Sequence, residues 1–398
     1  MNRVKIRSQV QIMAEGLEKQ YYKTSPEAFA ELLENLRGHP DTATVFAWTK
    51  QPNFYYPDRE TTAELIKLRE AVWNFDRLFE QFSRFGQRQI TQSVIIEEIL
   101  STNAIEQIHS TRHDIFSVLE QVSGTADDKL RALVNGYQLL MNGPVEIHSH
   151  ADIRNIYDTV LKHALSNADR PDGTWYRRDQ VSVSDGIRNV HAGFYPEEAI
   201  IRGMEEFLAV YHHPSLDIYE RMILSHIMLE LIHPFYDGNG RLGRFLFTAG
   251  MYGETKSCAA FLVSSAMAHR RPAYYRALKD ASGIRQFGSL NASMIGIART
   301  LREEISEASG QLEVIKKQTA EPDYSDGYTG AERTILSVLR EGTLLSSYGI
   351  SNQEIMDACN LSRRTVISAI GRFRKDELLE ETKFGKTVFH RLKQPQPE

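Results

Sequence analysis

Residues 233–244 of this chain read His233-Pro234-Phe235-Tyr236-Asp237-Gly238-Asn239-Gly240-Arg241-Leu242-Gly243-Arg244. A plain glycine turn between core helices has no need for an imidazole, a carboxylate, an amide and two guanidinium groups in so short a run. His233 is the group here whose ordinary pKa suits a general base near neutrality. Arg241 and Arg244, three residues apart, share a helix face, and each can fork onto phosphate oxygens. Gly238 and Gly240 let the backbone approach a phosphate with no Cβ in the way. Asp237 is a hard oxygen ligand that suits Mg²⁺ beside a polyphosphate. In-line attack on phosphorus needs a base on one side and charge stabilisation on the leaving group. The segment holds candidates for both roles.

The flanking residues predict the elements that must hold these groups. Leu224, Ile227, Met228 and Leu231 form an apolar helix that Pro234 and the glycines break, and Leu242, Phe245, Leu246 and Ala249 begin another. The order is helix, glycine loop, helix N-terminus, where unpaired N–H groups and the positive dipole end favour an anion. GNGRLG at 238–243 also matches G-x-G-x-x-G, but a dinucleotide fold needs a strand before that motif. Helical stripes run through 64–82, 92–106, 128–141, 200–212 and 219–233, and again through Leu290, Met294, Ile297, Leu301 and Ile305. Residues 40–60 read as an irregular aromatic segment packed on the body. In 170–197 the alternation of QVSVSD predicts a short hairpin.

Composition narrows the classes. A chain of 398 residues, 41% hydrophobic and 25% charged, can build two or three globular domains. Cys258 and Cys359, the two cysteines, exclude a disulfide framework and a four-cysteine zinc site, and they fit a reducing compartment. No apolar run is long enough for a signal peptide or a membrane span, so the expected address is the cytoplasm. A net charge of −5 argues against a surface coated throughout for nucleic acid. The polar run QTAEPDYSDGYTG marks a boundary near 318–330. Beyond it residues 329–398 carry +2, while the rest carries −7.

HPFYDGNGRLGR resembles the signature of the Fic family, H-x-F-x-[DE]-G-N-G-R-x-x-R, at every fixed position, and His226 and Glu230 resemble the residues that precede it there. The resemblance runs from the aromatics near 47–60 to roughly 285. It implies a mainly α fold, a helical bundle with a small β-hairpin flap, and transfer of AMP from ATP to a protein Ser, Thr or Tyr hydroxyl, the chain's own included. His233 would then take the hydroxyl proton. Asp237 would hold Mg²⁺ against the α- and β-phosphates, and Gly238, Asn239 and Gly240 would cradle the phosphates. Arg241 and Arg244 would bind further along, Arg244 nearest the γ end. Gly238-Asn239 and Arg241 fit adenylyl transfer better than the phosphate-transferring branch; transfer of UMP needs only a different base pocket. Tyr274 would pack on the base or bond the ribose, whereas Ser282 stands where relatives often carry Asn. DGTWYRRDQVSV, with Gly173 and Arg177, resembles the flap, whose edge could pair with a target's backbone.

Residues 97–107 resemble the family's inhibitory motif, [ST]-x-x-x-E-[GN]. On that reading Thr102 and Glu106 share a helix face and Glu106 pairs with Arg244, keeping the γ-phosphate out of its productive pose. Gln107 departs from the usual Gly or Asn. Because Gln does not readily adopt the left-handed conformation, a different helix end and weaker inhibition are expected.

Residues 330–392 give three helical stretches and a hairpin, the order of a winged helix-turn-helix. Ser351 and Ser362 cap the second and third helices. Arg363 and Arg364 would open a recognition helix in a DNA major groove, with Lys383 and Lys386 on phosphates, unless the module docks protein instead. The expected organisation is an N-terminal helical segment at 1–90, a catalytic core at 91–317, a linker at 318–329 and the winged helix-turn-helix at 330–398. A self-inhibited adenylyltransferase is the leading expectation, and the resemblance implies a homodimer. The alternative is a DNA-binding regulator whose Fic core senses nucleotide or modifies only itself.

Overall fold

Helix starts follow side-chain caps. Ser25, Asp58, Ser83, Thr111 and Asp217 each accept the backbone N–H three residues on, satisfying donors that the helix leaves unpaired. The computed structural model describes residues 17–50, 52–120, 128–143, 145–161, 169–184, 189–320 and 327–393. Its elements begin with α1 (Leu17–Lys23), α2 (Pro26–Arg37), β1 (Ala43–Val45), β2 (Asn53–Tyr55), α3 (Arg59–Phe79), α4 (Arg84–Ile105) and α5 (Arg112–Leu119). They continue with α6 (Asp128–Asn142), α7 (His150–Leu161), β3 (Ser182–Ser184), β4 (Asn189–Ala192), α8 (Glu197–Tyr211), α9 (Ile218–Ile232), α10 (Asn239–Thr255), α11 (Val263–His269), α12 (Arg271–Ala281) and α13 (Asn291–Ala320). The last group is α14 (Gly330–Leu345), β5 (Ile350–Ser351), α15 (Asn352–Cys359), α16 (Arg363–Lys375), β6 (Leu379–Phe384) and β7 (Thr387–Leu392). The fold is mainly helical, as the periodicity predicts.

α9 is buried around nearly its whole circumference, from Ile218 through Met222, Ile227 and Leu229 to Ile232, so it forms the central rod of the bundle. α10 packs along it, α8 covers another side, and α3 pairs lengthwise with α13, whose Met294–Ile305 stripe is buried. The aromatic segment at 40–60 is more regular than expected. β1 and β2 pair antiparallel, Thr44 opposite Phe54, and bury Val45, Phe46 and Tyr55 in the main core. β3 pairs antiparallel with β4, Val183 opposite His191. β5, β7 and β6 make a three-stranded antiparallel sheet behind α14–α16.

Two expected boundaries fall inside helices. The division at 90/91 lies within α4, an unbroken helix from Arg84 to Ile105, and the linker start at 318 lies in the last turn of α13. Polarity at a solvated helix end reads like a linker: beyond Leu312 no described residue of α13 is buried. Linker residues 321–326 lie outside the described residues. No described helix is long and apolar enough to cross a membrane.

Candidate active site

α9 ends abruptly at His233. That residue takes the left-handed conformation, φ 53°, and its N–H donates to Leu229 O at 2.8 Å. Left-handed backbone is costly for a residue with a Cβ, so neighbours must hold it. Arg177 does so from the flap side. Its guanidinium, fully buried, donates from Nε to His233 O at 2.9 Å, from Nη2 to Phe194 O at 2.8 Å and from Nη1 to Asp179 O at 2.5 Å. Gly193 is small for the same reason: a Cβ there would lie 2.5 Å from Arg177 Nη2. Below the loop, Phe235 stacks on Tyr157 with ring centroids 3.7 Å apart.

Asn239 does something the sequence did not disclose. Its Oδ1 accepts Phe235 N–H at 2.9 Å and its Nδ2 donates to Phe235 O at 2.8 Å. The buried amide is therefore spent on shaping the loop, and only its backbone is left to meet a phosphate. Gly238 starts α10 at φ 81°, where a side chain would be strained. Asp237 Oδ1 accepts Gly238 N–H at 2.6 Å, its carbonyl accepts Tyr157 O–H at 2.9 Å, and its half-exposed carboxylate pairs with Arg241 at 3.2 Å.

A cavity of about 400 Å³ gathers His233, Gly240, Arg244 and Tyr274. Glu106, Glu230, Tyr275, Lys279 and Ser282 complete its working walls. Gly238, Asn239, Arg241 and Asp237 do not line it. The two motif arginines, expected on one helix face, point in different directions. Arg241 turns its buried guanidinium back to Asp237, while Arg244 points into the cavity and across to α4.

Arg244 Nη2 donates to Glu106 Oε1 at 2.6 Å, and Arg244 Nε donates to Thr102 Oγ1 at 2.9 Å. Burial would push the Glu106 carboxyl up, yet the Arg244 charge and hydrogen bond hold it below its ordinary value. Gly240 makes room for this pair, since a Cβ there would sit 2.5 Å from Glu106 Oε1 and 2.9 Å from Arg244 Nη1. The expected change of helix end at Gln107 is not found. Gln107 adopts the left-handed conformation at φ 59°, and Ile108 N–H reaches back to Asn103 O at 2.9 Å. The closing hydrogen bonds offset a strain that Gly or Asn would largely avoid.

Three further groups surround Arg244. Glu98, fully buried, accepts Ser264 N–H and Oγ–H, both at 2.6 Å, and Thr248 Oγ–H at 3.1 Å; burial pushes its carboxyl up to about 7. Glu230 is likewise pushed up to about 7 by burial. His226 lies against Tyr274, Nε2 to O–H 3.0 Å, and burial holds its pKa down to about 3, so the ring is neutral. Tyr274 is thus fixed by a buried hydrogen bond as well as facing the cavity. Glu98 carried a signal in the sequence: it stands four residues before Thr102, on the same helix face, among Ile95, Ile96 and Ile99. Arg363 and Arg364 stand exposed at the start of α16, apart from this cavity.

The Fic/DOC family pattern matches residues 147–249, which hold α7, the hairpin, α8, α9, the loop and most of α10. A probable protein adenylyltransferase of Aquifex aeolicus (strain VF5) is 36% identical over 67 residues, 17% of this chain and 19% of its own length, so the match spans about a fifth of that relative. A Fic family protein from Desulfovibrio desulfuricans G20 superposes with a TM-score of 0.52 at 19% identity, over 83% of this chain and 97% of that one. Fic-1 (residues 134–508) from C. elegans gives a TM-score of 0.45 at 19% identity, over 64% of this chain and 74% of that one. With the helix–loop–helix geometry and the matched segment in agreement, the chain carries a Fic domain.

Proposed function

We propose that the protein is a self-inhibited adenylyltransferase that moves AMP from ATP to a Ser, Thr or Tyr hydroxyl of a protein. One observation carries this reading: a single cavity holds His233, Gly240, Arg244 and Tyr274, with Glu106 Oε1 seated on Arg244 at 2.6 Å. His233 accepts the proton of the incoming hydroxyl, whose oxygen attacks the α-phosphorus as pyrophosphate leaves on the opposite side. Arg244 and the N–H groups at the start of α10 stabilise the departing charge. Tyr274 walls the nucleoside end. Glu106 occupies the guanidinium that a γ-phosphate would use, and Thr102 fixes the angle of that guanidinium.

Asp237 suits Mg²⁺, which takes one or two carboxylates and completes its shell with phosphate oxygens and water. Here Asp237, with its carboxylate half-exposed beside the loop, would be the residue to hold it. When bound, it neutralises charge on the α- and β-phosphates.

The test is incubation with labelled ATP and a cell lysate, comparing wild type, Glu106→Gly and His233→Ala, with mass spectrometry of the labelled bands. Losing one charge-assisted contact, worth roughly 1.5–3 kcal/mol, raises labelling by Glu106→Gly about ten- to a hundredfold. His233→Ala loses about 10²–10⁴-fold. Labelling that ignores His233 overturns the reading, and stronger labelling from UTP than from ATP reassigns the transferred group.

A second reading, DNA binding by the C-terminal module, is favoured by the exposure of Arg363 and Arg364 at the start of α16 and of Lys383 and Lys386 on the β6–β7 hairpin. A salt-sensitive gel shift with genomic fragments, weakened by Arg363→Ala with Arg364→Ala, supports it. No shift at low salt rejects it.

A further inference from the structure

The helix that ends beside Glu106 begins inside another core. Phe85, in the first turn of α4, is buried among Ile335, Leu339, Ile350, Ile355 and Phe373 of the C-terminal module. The cap of the same turn is tied there too, because Ser83 Oγ donates to Glu341 Oε2 at 2.5 Å. Gly86 leaves room for that carboxylate; a Cβ would lie 2.3 Å from Glu341 Oε1. One turn on, Gln89 Nε2 donates to Glu354 at 3.0 Å. From this anchor α4 runs as an unbroken rod of 22 residues, about 33 Å, to the Glu106 end.

The chain then turns back as α5, and α5 is held by the same module. Phe116 packs on Tyr348, Phe384 and Phe389 with ring centroids 4.6, 5.2 and 5.3 Å apart, and His113 lies 5.0 Å from Phe384. Arg112 pairs with Glu97, and Asn103 donates to Ser110 at 3.2 Å, so α5 is tied back to the end of α4. Grooves of about 1270 and 790 Å³ run along α4 beside this contact, the first walled in part by the anchor residues Ser83, Phe85, Glu341 and Glu354.

We propose that the C-terminal module is the latch of the inhibitory helix. Seated on both arms of the α4–α5 hairpin, it keeps Glu106, at the bend, on Arg244; lifting the β6–β7 hairpin off Phe116 frees that carboxylate and admits the nucleotide. The proposal rests on the reading of Glu106 as inhibitory.

The test uses the full chain with Phe384→Ala at the α5 anchor and Glu341→Ala at the α4 anchor, each alone and combined with Glu106→Gly. Automodification by labelled ATP and hydrogen exchange of residues 97–119 are read together. The latch predicts labelling raised about tenfold or more by Phe384→Ala, as for loss of one charge-assisted contact. It also predicts faster exchange at 103–119 and no further gain in the Glu106→Gly background. Wild-type labelling with unchanged exchange in both anchor variants overturns it, as does an equal gain in both backgrounds. If Phe384→Ala does not fold, Glu341→Ala decides alone. If Glu106→Gly itself gives no labelling, the transfer reading fails, and exchange alone then decides whether the module restrains the hairpin.

Discussion

At the scale of single residues, the site works by placing charge where water cannot screen it. Arg244 is almost wholly buried and reaches Glu106, Thr102 and the neighbourhood of Glu98 and Glu230. Burial holds Glu98 protonated up to about pH 7 against an ordinary value of 4.5. Between those values the folded chain binds a proton that the unfolded chain has lost, so this group removes stability as pH rises through the window. Glu98→Gln should erase that contribution. Its melting temperature relative to wild type should climb from about pH 4.5 to about pH 7 and level off above; a difference that does not vary with pH counts against the assignment. Part of this site was legible from residue types, which singled out His233 and Arg244; Glu106, which meets them in one cavity, was expected there only through the family resemblance. The inward turns of Asn239 and Arg241 were not, because a polar side chain beside a loop serves backbone and ligand with the same atoms. Gln107 misled for another reason: intrinsic preference disfavours its backbone angle, and the local hydrogen bonds that close the helix end override that preference.

At the scale of elements, the 233–238 loop is suspended between the end of α9 and the segments flanking the β3–β4 hairpin, and Arg177 is the tie. Three carbonyls from three segments converge on its one guanidinium. Lysine cannot reproduce that fork, since an ammonium is a point donor on a flexible stem. Arg177→Lys should therefore lower transfer on the order of 10–100-fold through misplacement of His233, with kcat falling more than KM changes. An unchanged kcat would show that the flap is not what holds the base. Sequence periodicity located the helices of this frame well, because α9 and α13 carry long apolar patterns. It placed the hairpin too, through alternation in QVSVSD. The three buried bonds of Arg177 left no comparable trace, as an arginine in a polar loop reads as solvated.

At the scale of the whole molecule, domain boundaries read from composition proved too sharp. Phe85 belongs by sequence to the N-terminal segment and by packing to the C-terminal module. Sharing a core residue couples the two in unfolding. Wild type should melt in one calorimetric transition, and Phe85→Ala, at a cost of ~3–5 kcal/mol, should split off an earlier one for the module. Two transitions already present in wild type would contradict this. Contacts between parts distant in sequence have no local signature, so the docking of the module on α4 could not be foreseen from either part alone.

Asn239 also carries a chemical clock. An Asn followed by Gly is the pair most prone to cyclise, the glycine nitrogen attacking the side-chain amide carbon. In the native loop both ends of that amide are bound to Phe235, and Gly240 sits in the first turn of α10. The reaction must wait for the loop to open, so each opening carries a risk that Asn239 loses ammonia and ends irreversibly as isoaspartate or aspartate. The fraction deamidated in an aged sample then records how often the molecule has come apart there.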